Sequence, residues 1–296
     1  MIMRSWLFVP GDSERKLAKV EHTPADLVII DLEDSVADDR TAIAREMTRE
    51  YLQAHSERSQ PQLWVRVNPM DTDKALADLA AIMPGAPDGI VLPKTDSAAD
   101  AIRLDHYLSA LEVREGIERG RTKILPVATE TAQALFTLHS FVGATPRLYG
   151  MTWGAEDLSA ALGASSNKGP DGTYDDVYRL ARSLCLAACK AAQVEAVGSV
   201  YTAYRDLDGL RAEALYDRQA GFSGKIAIHP DQVPVINEAF TPSEAEFAHA
   251  QRVVDLFAEN PGAGTIGLEG KMLDKPHLKQ AEYILAMAAL AKQRGY

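Results

Sequence analysis

The run "LVIIDLEDSV" (residues 27–36) places three carboxylates, Asp31, Glu33 and Asp34, directly behind four apolar residues. Charged and polar groups recur behind other short apolar runs. Arg66 and Asn68 end "LWVRVN", Lys94 ends "GIVLPK" and Glu130 ends "ILPVATE"; Glu156 and Asp157 follow "RLYGMTWG", and His229 stands in "KIAIHP". Each has a local explanation. Asp34 or Asp157 can cap a following helix, Glu130 can open one and gain from its dipole, and His229 before Pro230 suits a hydrogen-bonded loop. Gathered on one rim, they need more. Converging acids repel, and burial raises their pKa values. A hard divalent cation relieves both effects, and oxygen donors with few His or Cys favour magnesium over zinc. The chemistry suggested is metal-assisted work on a polar substrate.

Such a rim requires a fold that brings strand ends together. Eight short apolar, β-branched runs begin at Ser5, Leu27, Leu63, Gly89, Ile124, Arg147, Ala196 and Lys225. Helical patterns alternate with them, clearest in "DDRTAIAREMTREYLQAH", "DSAADAIRLDHYLSALEVREGIE", "TAQALFTLHSF" and "YDDVYRLARSLCLAACKAAQ". That rhythm predicts parallel βαβ units. Eight such units close a (β/α)8 TIM barrel of about 250 residues, whose active site lies at the strand ends. A doubly wound open sheet is the rival. The barrel is expected over residues 1–241, with 242–296 as a C-terminal helical extension: a helix, the Gly-rich "PGAGTIGLEG" and a last helix. Gly262, Gly264 and Gly267 spell a dinucleotide fingerprint, but they follow a helix and Pro261 rather than a strand, so a flexible hinge loop is expected there.

A net charge of −11 argues against nucleic acid or an anionic membrane surface as a partner. No apolar run approaches the roughly 20 residues needed to cross a bilayer. "MIMRSWLFVP" is too short and too soon interrupted for a signal peptide. Cys185 and Cys189 share one helical face; no second ligand pair accompanies them for zinc, and buried thiols of a reducing cytoplasm are expected. The expected location is cytoplasmic.

The stretches "RSWLFVPG", "DLVIIDLEDSVADDRTAIAR", "VRVNP", "VLPKTD", "GMTWGAEDLSAALG", "KIAIHPDQV" and "GKMLDKP" run collinearly over essentially the whole length. In them the chain resembles the citrate lyase beta subunit and malyl-CoA lyase family, related to the HpcH/HpaI aldolases. The order of these motifs is specific for the family and much less so for the substrate. One departure is "ATET", where the family usually has Ile-Glu-(Ser/Thr): Thr129 replaces an apolar residue beside Glu130.

The resemblance implies roles. Glu130 and Asp157 would be direct Mg2+ ligands, with Mn2+ able to substitute and water and a keto or hydroxy acid completing the shell. Arg66 would face the reacting carbonyl, and Glu33 and Asp34 would orient waters or Arg66. Backbone N–H groups of Gly154, Ala155 and Glu156 would receive the substrate carboxylate. Arg15, Lys16 and Lys19 on the first helix would lie near the coenzyme A phosphates. Asp274, on a C-terminal lid reaching a neighbouring subunit, would move the proton, which implies a homotrimer or dimer of trimers. The activity implied is Mg2+-dependent cleavage or formation of a short 3-hydroxyacyl-CoA, such as malyl-CoA or citramalyl-CoA, to a 2-keto acid plus acetyl-CoA. Alternatives are a malyl-CoA-type thioester hydrolase, a citryl-carrier-protein lyase subunit, and a Schiff-base aldolase using Lys94. The last is opposed by the neighbouring carboxylates, which favour a charged lysine.

Overall fold

Leu27, Ile29 and Asp31 alternate with Val28 and Ile30 along one strand, and successive side chains of a strand point to opposite faces. In the computed structural model, which describes residues 3–58 and 61–293, the first set faces inward. Leu27 and Ile29 join Trp6, Trp64, Leu125 and Ile226 in one buried cluster. Asp31 continues the same inward series at the strand's end.

The strands are β1 (Ser5–Pro10), β2 (Leu27–Asp31), β3 (Gln62–Arg66), β4 (Gly89–Leu92), β5 (Lys123–Pro126), β6 (Gly150–Thr152), β7 (Glu195–Gly198) and β8 (Gly224–Ala227). They are parallel, in the order β5-β4-β3-β2-β1-β8-β7-β6. The two ends of that sheet also meet. Ile124 pairs with Leu148 and Val127 with Thr152, Tyr149 N–H donates to Ile124 O (3.0 Å), and Ala128 N–H donates to Thr152 O (2.8 Å). The fold is therefore a closed (β/α)8 barrel, which removes the open sheet as a rival. Inside it the rings of Trp6, Trp64 and Tyr149 pack with centroids 5.1–5.6 Å apart. Gly89 makes room for them, since a Cβ there would lie 2.5 Å from the Trp64 ring.

Register carries the inward series across strands. Asp31 is the ladder partner of Arg66, and Pro10 is that of Asp31, so these residues reach the same level of the rim. The helices on the outside include Glu14–Val20, Thr41–Ala54, Ala98–Glu115, Ala155–Leu162 and Asp176–Ala192. "TAQALFTLHSF" gives less helix than its pattern predicts: a short α-helix, Ala134–Thr137, followed by a 3-10 turn, Leu138–Phe141. Thr137 accounts for part of this. Its hydroxyl bonds to the carbonyls of Asp96 and Ala134, an alternative to regular helix that Thr readily offers.

The chain divides into two compact units, Met3–Asn237 and a second that begins at Glu238. In the second, the helix Glu244–Glu259 opens with a capping box of Ser243 and Glu246. The glycine-rich stretch expected as a hinge loop is instead a β-hairpin of β9 (Thr265–Leu268) and β10 (Lys271–Asp274). Glu269 (φ 52°) and Gly270 (φ 77°) form its two-residue turn, and two left-handed residues in sequence match the twist of the flanking strands. Leu268 and Leu273 pack with Ala250, Val253 and Ala281, the last from the final helix Lys275–Gln293. No helix among the described residues is long and apolar enough to cross a membrane.

Candidate active site

Arg66 closes β3 with its side chain over the barrel mouth. Its Nε and Nη2 donate to Asp31 Oδ1 (2.7 Å) and Oδ2 (2.8 Å), a two-point pair set up by the ladder register. Asp31 also accepts from the backbone N–H groups of Glu33 (3.1 Å) and Ser35 (3.2 Å). Burial pushes the Asp31 carboxyl up, but the Arg66 pair and these N–H groups more than offset it and hold it below the usual range. The Arg66 guanidinium lies 4.6 Å from the Phe8 ring centroid, so an aromatic face and an acid fix it together.

Next to this pair the acids accumulate. Arg66 Nη1 lies 2.9 Å from Glu33 Oε2, a contact too bent for a hydrogen bond, and 3.5 Å from Asp34. Lys94 Nζ touches Glu33 and lies 3.2 Å from Asp34 and 3.3 Å from Asp157. Burial pushes Glu33 up to about 6, with Asp34 adding to the rise and Arg66 and Lys94 opposing it. Lys94 is driven the other way. Burial disfavours its charge, but Glu33, Asp157 and Asp34 outweigh that and keep it firmly protonated.

Glu130 is buried below the same rim, where Oε2 accepts the backbone N–H of Lys94 at 2.6 Å. Burial first, and the Asp157 charge second, push it up to about 8. Neither Glu130 nor Asp34 serves the local purpose that spacing allows: the helix Ala134–Thr137 is preceded by Gln133, and the 3-10 turn Asp38–Arg40 by Ala37. Asp157 lies in the first turn of the helix Ala155–Leu162, whose N-cap is Gly154. Gly154 is required by close approach, because a Cβ there would meet Glu130 Cγ at 2.8 Å. Its N–H donates to Thr129 Oγ1 (3.1 Å). Thr129, the departure noted above, thus takes one of the three N–H groups singled out for a substrate carboxylate. Those of Ala155 and Glu156 lie in the helix's first turn, where no intrahelical acceptor exists.

Arg66, Asp34, Glu130, Gly154, Glu156 and Asp157 line one cavity of about 430 Å3. Phe8, Lys16 and Ile228 join it to a second of about 500 Å3, which Arg15, Lys16 and Lys19 also line. These cations sit on the helix Glu14–Val20, on the face turned away from buried Leu17 and Val20. Among the described residues no set of three or more His, Cys, Asp and Glu side chains gathers around a metal position. Glu130 and Asp157 are two carboxylates lining one cavity, and such a pair would suit an ion that keeps several waters.

Of the remaining residues, His229 lines the second cavity. Asp274 ends β10 in the second unit, its Oδ1 2.5 Å from His277 Nδ1. His229 stacks on Tyr204 with ring centroids 5.1 Å apart. Asn68 is a strut, its Nδ2 donating to Asp78 Oδ2 (2.7 Å) and to the Leu32 carbonyl (3.0 Å). Cys185 and Cys189 are free and buried. Sequence reasoning assigned no role to Asp31 as the anchor of Arg66, and none to Phe8.

The sequence profile of the HpcH/HpaI aldolase/citrate lyase family matches residues 4–230. The citrate lyase subunit beta of Haemophilus influenzae is 33% identical over 289 residues, covering 97% of each chain. A (3S)-malyl-CoA thioesterase of Cereibacter sphaeroides is 36% identical over 287 residues, covering 96% of this chain and 94% of that one. The crystal structure of CitE from Mycobacterium tuberculosis in complex with magnesium, acetoacetate and coenzyme A is similar with a TM-score of 0.80 at 35% identity, covering 97% of this chain and 98% of that one. On this likeness of sequence and fold, the chain belongs to the HpcH/HpaI aldolase/citrate lyase family.

Proposed function

We propose that this protein is a cytoplasmic, Mg2+-dependent carbon–carbon lyase acting on a short 3-hydroxyacyl-CoA, such as malyl-CoA or citramalyl-CoA. Its products are a 2-keto acid and acetyl-CoA. The observation that carries this reading is a placement: Glu130, Asp157 and Arg66 face one cavity that adjoins a second lined by Arg15, Lys16 and Lys19. Two carboxylates with room for waters and a keto acid fit Mg2+. CitE of Mycobacterium tuberculosis holds magnesium, acetoacetate and coenzyme A together. The three cations supply local positive charge for phosphates despite the acidic whole.

In the cleavage direction the hydroxyl loses its proton and the bond between the α and β carbons breaks. The electron pair stays with the thioester fragment as an enolate, which then takes up a proton. When bound, the metal supplies a Lewis acid and a template for the keto-acid oxygens. Glu33, with a pKa of about 6, is suited to receive the hydroxyl proton through a water. Asp34 helps to hold Arg66 and Lys94 in place. Arg66 offers its remaining N–H groups where oxygen charge changes, worth about 3–4 kcal/mol for a donor of this type. Ala155 and Glu156 N–H groups, with the helix dipole behind them, receive the substrate carboxylate. Asp274 protonates the enolate carbon and removes the same proton in condensation, reaching the site of a neighbouring subunit in a homotrimer or dimer of trimers.

A panel of hydroxyacyl-CoA thioesters, assayed for release of acetyl-CoA and propionyl-CoA, tests the reading. Acetyl-CoA from malyl-CoA or citramalyl-CoA is the expected product. The second reading, hydrolysis of the thioester, is supported by the likeness to a (3S)-malyl-CoA thioesterase. Free CoA without acetyl-CoA would single it out.

A further inference from the structure

Lys94 follows β4 by two positions and adopts φ 50°, a left-handed conformation that residues with a Cβ rarely take. Such a conformation persists where the surroundings over-determine it, and here both ends of the residue are held. Its backbone N–H donates to Glu130 Oε2 at 2.6 Å. Its ammonium reaches across the rim to Glu33, to Asp34 at 3.2 Å and to Asp157 at 3.3 Å. Glu130, Asp34 and Asp157 line the 430 Å3 cavity, and Lys94 touches all three without lining it.

We propose that Lys94 is a positioning residue that orders the carboxylates around the proposed metal site, fixing Glu130 through its backbone and balancing Glu33, Asp34 and Asp157 through its ammonium. The inference rests on the reading of Glu130 and Asp157 as metal ligands. Charge accounting supports it. Asp31, Glu33, Asp34, Glu130 and Asp157 face two cations, and the paired edge of Arg66 is committed to Asp31. Lys94 shares Glu33 and Asp34 with the outer edge of Arg66 and also reaches Asp157. Its ammonium also repels a metal beside Asp157, so the native site gives up some cation affinity to keep its carboxylates in order.

Two variants separate the backbone from the charge. Lys94→Gly keeps the left-handed backbone and the N–H to Glu130 but removes the ammonium; Lys94→Met keeps the stem length without charge. Mn2+ affinity is measured by electron paramagnetic resonance on protein shown to be folded by circular dichroism, alongside steady-state rates at saturating Mn2+. Both variants are expected to bind Mn2+ about fivefold tighter or more, the order expected for losing one nearby, partly screened charge. Turnover should fall at least tenfold, with KM for the thioester within about twofold of wild type, because the carboxylates lose their anchor while the thioester contacts remain. Unchanged or weaker Mn2+ binding in Lys94→Gly, or wild-type turnover in both variants, overturns the inference alone. Wild-type protein that binds no Mn2+ overturns the metal reading and the inference with it.

Discussion

Asp31 accepts from both Nε and Nη2 of Arg66, at 2.7 and 2.8 Å, so the paired edge of the guanidinium is committed within the protein while Arg66 itself lines the cavity. Arg66→Lys should therefore lose at least tenfold in turnover with metal binding intact. An ammonium is a point charge that cannot reproduce the two-point contact or its direction. Steady-state kinetics with a parallel Mn2+ titration checks this; wild-type turnover in the variant would remove Arg66 from the mechanism.

As the proposed metal ligand, Glu130 would link metal binding to pH. Burial and the Asp157 charge push it up to about 8 from an ordinary 4.5. In the metal-free protein its contribution to stability is present below pH 4.5 and is lost as pH rises through about 8. Metal requires the carboxylate, so Mg2+ or Mn2+ binding below that pH should release a proton, and affinity should rise with pH until it levels near 8. Calorimetry in buffers of different ionisation enthalpy reads the released proton directly. Glu130→Ala should abolish both the binding and the release.

Away from the site, Arg147 is held by Glu112 through two contacts of 2.7 Å, with Asp105 and Ser109 alongside. Burial pushes Glu112 up, but Arg147 and the N–H groups of Gly120 and Thr122 outweigh it and bring it down to about 2. A lowered carboxylate stabilises the fold above its unfolded value of 4.5, and that stability is lost as pH falls toward 2. Glu112→Ala leaves a buried guanidinium without its main partner and should cost about 3–5 kcal/mol. Denaturant unfolding at neutral pH measures it, and a change below about 1 kcal/mol would show the pair to be dispensable.

Asp274→Asn distinguishes a proton carrier from a residue that merely orders the start of the last helix. Loss of the proton-transfer group predicts a fall of about 10²–10⁴ in turnover with folding and metal binding unchanged. If the residue serves a neighbouring subunit, mixing inactive Asp274→Asn and Glu130→Ala chains should restore part of the activity. No recovery after confirmed subunit exchange would place it in its own chain's site.

The barrel was legible because its strands are short apolar, β-branched runs, each with a recognisable end, separated by helical patterns. The acids of the rim were legible as a group for the same reason. Their pairing was not. Asp31 and Arg66 lie 35 positions apart, and only the ladder register of β2 and β3 brings them side by side. Lys94 carries no mark of its left-handed backbone, since that conformation is ordinarily signalled by glycine. The hairpin of residues 265–274 was read as a loop because Gly267 lies in a strand and Glu269, not a second glycine, opens its turn.

The central claim is that this site breaks a carbon–carbon bond with the help of a metal. It is tested most directly by incubating the purified protein with malyl-CoA, with and without Mg2+ after exhaustive chelation, and quantifying every CoA species and keto acid by mass spectrometry. The account predicts acetyl-CoA and keto acid in equal amounts, formed only when Mg2+ is restored. Full activity after chelation, or free CoA appearing without acetyl-CoA, would contradict it.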